Sequence, residues 1–235
     1  LQLAEDFRNV SNISVQYNHV AEMYVGSNAQ LDVVKLQMEV SNSIGIHTLE
    51  SKVERNGRFS AATITFSSPN TGTGNALIRN NITSRLVGEG AHADFAGLYF
   101  GKENALIDNH VLVDHVAPNC TSNQLYKGVL NGESTGVFNG KIFVKPDAQK
   151  TNAFQSSKAL LLSNEASINS KPQLEIFADD VKCSHGAAIG QLDENALFYL
   201  MARGITKEEA TQILTYAFCI LRIRLLIPMT SLWIR

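Results

Sequence analysis

From about Val10 to Phe177 the chain is cut into short β-rich runs by glycine, asparagine and serine, and this punctuation limits its fold more than any other feature. VAEMYVG, LDVVKLQMEV, FSAATITF, DFAGLYFG, HVLVDHV, GVFNGKIFV and PQLEIFA each have the alternation or the β-branched content of a strand. Turn clusters such as Gly88-Glu89-Gly90, Gly101-Lys102-Glu103-Asn104 and Asn131-Gly132-Glu133-Ser134 separate them. They recur at intervals of roughly 10 to 30 residues. Long helical periodicity is scarce in this region. The pattern suits stacked rungs, a sandwich or a barrel, and its irregular spacing does not choose among them.

After Gly186 the period changes. Asp193 is placed to cap a helix running through Arg203, with Gly204 just past its end, where positive φ costs least. Thr206-Lys207-Glu208-Glu209 reads as a capping box that opens a second helix. In that helix Ala210, Ile213, Leu214, Ala217, Phe218, Leu221 and Leu225 recur at helical spacing until Pro228. The chain therefore divides into a β core over 1–188 and a helical hairpin over 189–235. The closing ILRIRLLIPMTSLWIR is apolar. A membrane span from Ile213 to Ile234 would nevertheless place Arg222 and Arg224 in hydrocarbon at about 2.5 to 3.5 kcal/mol each, and would cross Pro228, so no span is read there.

With 235 residues, 44% of them hydrophobic, the chain can bury a sizeable core. A formal net charge of −2 without a basic patch before the last residues gives no footing for nucleic acid or an anionic membrane surface. Cys120, Cys183 and Cys219 are odd in number, widely spaced and free of any C-x-x-C. They indicate neither a disulfide framework nor a self-contained zinc site, and a reducing, cytoplasmic compartment fits them. The opening residues lack a basic segment followed by an apolar one, so no signal peptide is read. A start at Leu1 rather than Met predicts a piece of a longer protein. Gly72-Thr73-Gly74 and Gly186 complete no G-x-G-x-x-G or Walker A pattern, which leaves ATP hydrolysis outside this chain's own chemistry. Neither G-x-S-x-G nor H-E-x-x-H occurs.

The stretch Ile176 to Gly186, IFADDVKCSHG, carries the most chemistry. If extended, it puts Asp179, Val181, Cys183 and His185 on one face and Asp180, Lys182 and Ser184 on the other. A thiol and an imidazole then project side by side, a donor pair suited to zinc or iron-sulfur chemistry. Two or three ligands do not close a site, so any metal here borrows ligands, for instance from another chain. The plainer reading makes Cys183 a small buried hydrophobe and His185 a satisfied structural histidine. Asp108, His110, Asp114, His115 and Cys120 form a second cluster, but strand alternation splits it. His110 and Asp114 share a face with Leu112, while His115 shares the other with Val111 and Val113 and is expected to be a satisfied histidine inside a rung.

The run LEIFADDVKCSHGAAIGQLDENALFYLMARGITKEEATQILTYAFC, Leu174 to Cys219, resembles the C-terminal part of the SufB/SufD family, and its SufD side in particular. HVAPNCTSNQLYKGVLNGESTGVFNGKIFV, His115 to Val144, resembles that family's core, and together the matches reach from about Gly88 onward. The tail after Cys219 departs from the family pattern. The resemblance implies a mainly β chain, a right-handed parallel β-helix followed by a small C-terminal helical domain. It further implies a scaffold subunit of the SUF iron-sulfur cluster assembly complex, with no catalysis of its own and with more N-terminal sequence upstream.

The implied partners are SufB, through a heterodimer of β cores, and the ATPase SufC, on the helical domain. A solenoid also leaves end strands to cover, and alone the chain is expected to form a homodimer. The implied cargo is an iron-sulfur cluster held transiently with SufB, with FAD associated with the family's complexes. His185 stands at the position of the SufD motif's implicated histidine, with Cys183 a weaker second. Tyr199, Arg203 and Glu209 are the first residues to try for SufC docking. Two other classes compete. A β-helix enzyme acting on polysaccharide needs convergent carboxylates along a groove, which Asp179-Asp180 on opposite faces fit poorly. A purely structural interaction protein leaves Cys183 and His185 inert.

Overall fold

A computed structural model describes residues 1–8, 14–40, 43–68 and 76–223. Gly72-Thr73-Gly74 and the expected helix stop at Pro228, with the tail from 224 to 235, lie outside these residues. Among the described residues thirteen strands precede two helices: β1 (Gln2–Arg8), β2 (Gln16–Val25), β3 (Gln30–Val40), β4 (Ile44–Val53), β5 (Arg58–Ser68), β6 (Leu77–Leu86), β7 (His92–Gly101), β8 (Leu106–His115), β9 (Thr121–Leu130), β10 (Thr135–Val144), β11 (Asn152–Leu161), β12 (Ser167–Ile176), β13 (Lys182–Gly190), α1 (Glu194–Met201) and α2 (Lys207–Ile223). The odd strands stack in chain order into a seven-stranded sheet, and the even strands from β2 to β12 into a six-stranded one. Neighbours are parallel and in register, Leu77 beside Leu106 and Leu106 beside Thr135. The chain is thus a parallel β-helix of about six turns, each coil burying its inner face against the next.

Each strand sends alternate side chains into the space between the sheets. On β8, Ile107, Asn109, Val111, Val113 and His115 are buried, whereas His110 and Asp114 face outward, the division expected from strand alternation. Outside, His110 pairs with Asp108 at 2.9 Å, Asp108 with Arg79 at 3.0 Å, and Asp114 with Arg85 and Lys145 at 3.5 and 3.7 Å. Inside, His115 Nε2 meets Ser122 Oγ at 2.9 Å, while its Nδ1 has no partner among the described residues. The expected satisfied histidine is therefore satisfied at one nitrogen only. Cys120 is fully buried, its thiol 3.4 Å from the Gly88 carbonyl.

One corner of the coil recurs as a column of left-handed residues: Asn28, Asn56, Gly90 and Asn119, with φ of 59, 54, 70 and 59°. Asparagine tolerates that conformation better than most residues and adds side-chain bonds between turns, as from Asn56 Nδ2 to Asn28 Oδ1 at 3.2 Å. In the core, Tyr126 lies beside Gly97 and Tyr99 beside Gly128 in the β7–β9 register. A Cβ at Gly97 would fall 2.2 Å from the Tyr126 ring, and one at Gly128 would fall 2.4 Å from that of Tyr99. The glycines are what let two tyrosines enter the same narrow interior.

The second helix closes against the odd sheet. Asp193 caps α1 by accepting from the amides of Asn195 and Ala196, and Gly204 follows with φ of 86°. Lys127 and Val129 point outward on β9 and are buried all the same, because Phe218 and Cys219 of α2 pack there with Leu160 and Leu192. The Lys127 ammonium donates to the Phe218 carbonyl and lies 5.2 Å from its ring centroid.

Two outcomes are expected. Gly97→Ala should lower stability by about 1 to 3 kcal/mol in chemical denaturation, and pairing it with Tyr126→Leu should recover part of the loss. Additive losses would mean that the ring is not the obstacle. Burial lowers the His115 pKa from 6.5 to about 4, so the folded state holds it neutral while the unfolded chain takes up a proton. Its contribution is complete above pH 6.5 and is lost as pH falls towards 4, a difference on the order of 3 kcal/mol. The melting temperature of the parent chain should fall more steeply over that window than that of His115→Gln. Parallel curves would contradict the assignment.

Candidate functional site

β13 is the last strand of the odd sheet, paired on one side with β11 and with no strand on the other among the described residues. Cα partners run Ala153 to Cys183, Gln155 to His185 and Ser157 to Ala187. This register carries the inward row Gln124–Gln155 of β9 and β11 up to His185, and the row Ser122–Ala153 up to Cys183. Cys183 is half-buried against Ile142, Val144, Ala148, Ala153 and Ala178, and Val181 packs beside it. His185 is exposed, as are Gly186, Ala187, Ala188, Ile189 and Gly190. Ile189 is 53% accessible, and nothing lies within 4 Å of a Cβ built at Gly186 or Gly190. The site is an open end of the solenoid, floored by core and edged by small side chains.

The extended reading holds for Cys183 and His185 but not for the acidic pair. The chain is a strand only from Lys182, and Asp179 and Asp180 form a bend at the corner. There the Lys150 amide donates to the Asp180 carbonyl at 2.6 Å, and the Asp180 amide donates to Gln149 Oε1 at 3.0 Å. Asp179 therefore does not share a strand face with the thiol and the imidazole. Burial raises the Cys183 thiol pKa, with the Ala153 backbone opposing, so the thiol form is favoured over the thiolate that binds metal. Among the described residues no group of three or more His, Cys, Asp or Glu side chains is placed to hold a metal ion.

On the hairpin, Tyr199 is exposed and the Arg203 guanidinium lies over its ring at 3.5 Å. Glu209 has a different duty. Its carboxylate accepts from the Thr206 amide and hydroxyl at 3.1 and 2.9 Å, while its own amide donates to Thr206 Oγ1 at 3.2 Å. This is the capping box, and the Thr206 backbone contact holds the Glu209 carboxyl below its usual value. Tyr199 and Arg203 thus form one stacked pair, and Glu209 fixes the entry of the second helix.

Two constellations were not legible in the sequence. On the outer face of the odd sheet, His92 contacts Asp94 Oδ2 and Thr121 Oγ1, each at 2.5 Å, and Asn123 Nδ2 donates to Asp94 Oδ1 at 2.8 Å. The order hydroxyl, imidazole, carboxylate has the look of a proton relay. The local amides are committed to the ladder, His92 N to Gly57 O and Thr121 N to Ala91 O, and supply no oxyanion donors. The second is the pair Gln124 and Gln155, joined in the core by Gln155 Nε2 to Gln124 Oε1 at 2.7 Å. Only the register reveals that it runs beneath His185. A groove of about 290 Å³ on the outer face of the even sheet is lined by Asn81, His110, Asn139, Lys141 and Gln173, among others. At that volume this groove alone does not bury a flavin dinucleotide. No helix among the described residues is long and apolar enough to cross a membrane.

Comparison with known proteins agrees with this arrangement. Residues 1–218 match the family described as "SUF system FeS cluster assembly, SufBD core domain". The chain is 36% identical to the iron-sulfur cluster assembly protein SufD of Escherichia coli over 83% of its own length and 44% of that protein's. It is 34% identical to a SufBD family protein of Synechocystis over 86% of its length and 43% of the relative's. It is 35% identical to the chloroplastic protein ABCI7 of Arabidopsis thaliana, over 86% and 41%. The chain thus spans less than half the length of these relatives. The match across residues 1–218, together with these relatives, establishes that this chain belongs to the SufBD family of iron-sulfur cluster assembly proteins.

Proposed function

We propose that the chain is a non-catalytic scaffold subunit of a SUF-type complex, of the SufD kind. In this reading it pairs with SufB through the C-terminal end of the β-helix and receives the ATPase SufC on its helical hairpin. The observation that carries it is an imidazole and a half-buried thiol, side by side on a strand whose second edge is unpaired among the described residues, within a chain matching the family core. An unpaired strand of small residues is a template for strand addition, and exposed Phe177 and Ile189 add apolar surface to the same end. Without SufB, a second copy of the chain takes that place.

The iron-sulfur cluster is cargo at this junction, shared between two chains because the described residues at this edge do not supply enough ligands. His185 is the first donor, since its imidazole is exposed at the open end of the strand. Cys183 is second, because its raised pKa opposes thiolate formation at neutral pH. On the hairpin, Phe198, Tyr199 and Tyr216 are 73, 57 and 67% accessible, an aromatic surface that supports docking of SufC, with the Tyr199–Arg203 stack at hand. Glu209 contributes there by holding α2. Three free cysteines support a reducing cytoplasmic setting. The polysaccharide reading is disfavoured by the carboxylates: Asp108 and Asp114 are tied into ion pairs, and Asp179 and Asp180 sit at a corner.

The test is His185→Ala beside Cys183→Ala in the SufB–SufC complex. Melting temperature should stay near the parent value, since the turns hold the fold, while cluster assembly should drop by about 10-fold or more for His185→Ala and by less for Cys183→Ala. Full assembly by the His185→Ala complex would refute the role, and a large loss of melting temperature would assign the histidine to the fold instead.

A further inference from the structure

The ladder beneath the site supplies a second layer. Gln155 is 3% accessible, and its Oε1 is buried without a hydrogen-bond partner among the described residues. A buried amide oxygen left unpaired is costly, which makes its orientation informative. Gln155 Nε2 donates toward β9, to Gln124 Oε1 at 2.7 Å. A primary amide is planar, and the N–H that bonds along a stack of glutamines lies opposite its own carbonyl. In that ladder geometry Oε1 faces away from β9, on the side of the next strand in the sheet, β13. The residue in register there is His185, one strand spacing of roughly 4.8 Å away. Space for this amide comes from the facing sheet, where a Cβ at Gly140 would lie 2.2 Å from Gln155 Nε2.

From this placement, and resting on the role proposed for His185, we infer that Gln155 is a positioning residue: its Oε1 accepts an N–H from the His185 ring, selecting one tautomer and leaving the other ring nitrogen free to face cargo or partner. His185 is exposed and can turn about χ1 and χ2 onto that oxygen. A histidine that binds metal or moves a proton needs its second nitrogen fixed, and a buried carbonyl-type acceptor is a common means. Gln124 extends the hold one turn deeper, because its Oε1 fixes the Gln155 amide. The interior row then connects the rigid core to the one exposed imidazole at the site.

The tautomer can be read directly. With 15N-labelled histidine in the full chain, at a pH where the ring is neutral, long-range proton-nitrogen spectra report the Nδ1-H and Nε2-H populations, and His185→Ala identifies the signals. The parent chain should show one dominant His185 tautomer. Gln155→Leu, which keeps the core apolar and folded, should shift it to the mixture of a free imidazole, and Gln155→Met gives the same comparison if leucine disturbs the fold. Gln155→Glu keeps an acceptor in place and should hold an N–H on the facing nitrogen, with Gln124 Nε2, now without a partner among the described residues, turning to the carboxylate. In the SufB–SufC complex Gln155→Leu should lower cluster assembly by about 10-fold, and Gln155→Glu should restore much of it. Identical tautomer populations in the parent and Gln155→Leu chains would overturn the inference, even if His185→Ala abolishes assembly. A shifted tautomer together with full assembly by His185→Ala would leave the hydrogen bond standing and refute the role of His185 instead.

Discussion

Every turn of this β-helix depends on the turns beside it for burial. A single coil of two strands presents an inner face with nothing to pack on, so the core exists only as rows of side chains repeated through successive strands. Compatibility along a row then matters more than hydrophobicity at any one position. Gly97 and Tyr126 share a row, as do Tyr99 and Gly128, and each ring occupies the space its neighbour lacks. Polar rows obey the same rule. Gln37 bonds Asn80 across the two sheets, Thr65 bonds Gln37, and Asn80 continues to Asn109, so that amides deep in the core bond along the row, with Asn109 Nδ2 left without a partner among the described residues.

The same polar rows explain which strands were readable. The runs picked out by alternation became β2, β3, β5, β7, β8, β10 and β12. β4, β6, β9 and β11 lack that apolar alternation because their inward positions carry His47 and Ser51, Asn80 and Ser84, Ser122 and Gln124, and Gln155 and Ser157. Read singly, these look like exposed segments, and only the partner one turn away makes them interior. The repeat was blurred as well, since side chains bonded between adjacent turns stand 28 residues apart at Ser60–Asp32 and 33 at Ser51–Ser84. Periodicity thus left sandwich, barrel and rungs open, and the resemblance to the SufB/SufD family was what singled out the β-helix.

At the site, two-residue alternation correctly put Cys183 and His185 together, because both lie within β13. It failed four residues before Cys183, where a corner takes over from a strand and carries Asp179 out of line. Corners of this coil are set by left-handed residues and by bonds between turns, neither of which a local period reports. Glu209 shows the complementary limit: its capping box was legible, and that duty engages the carboxylate also considered for a partner. Gln155 was invisible for a third reason. Its significance lies in being 30 residues from His185 and adjacent to it, a relation that exists only once the register is known.

The end of a solenoid is where burial stops, and the two ends of β13 deal with that differently. At its start, Cys183 and Val181 close the core over Ala153 and Ile142. Towards its finish, from Gly186 to Gly190, the strand is exposed. The chain then leaves through Leu192 into the hairpin, which returns to cover Val129 and Leu160 on the outer face. A lysine buried there without a partner would cost several kcal/mol, and the carbonyl of Phe218 is part of what makes Lys127 tolerable. The hairpin is thereby tied to β9, whose inner face carries Gln124, the base of the ladder under His185. The hairpin thus packs on the outer face of the same strand whose inner face carries Gln124, along the stretch from Tyr126 to Leu130 that is buried on both sides.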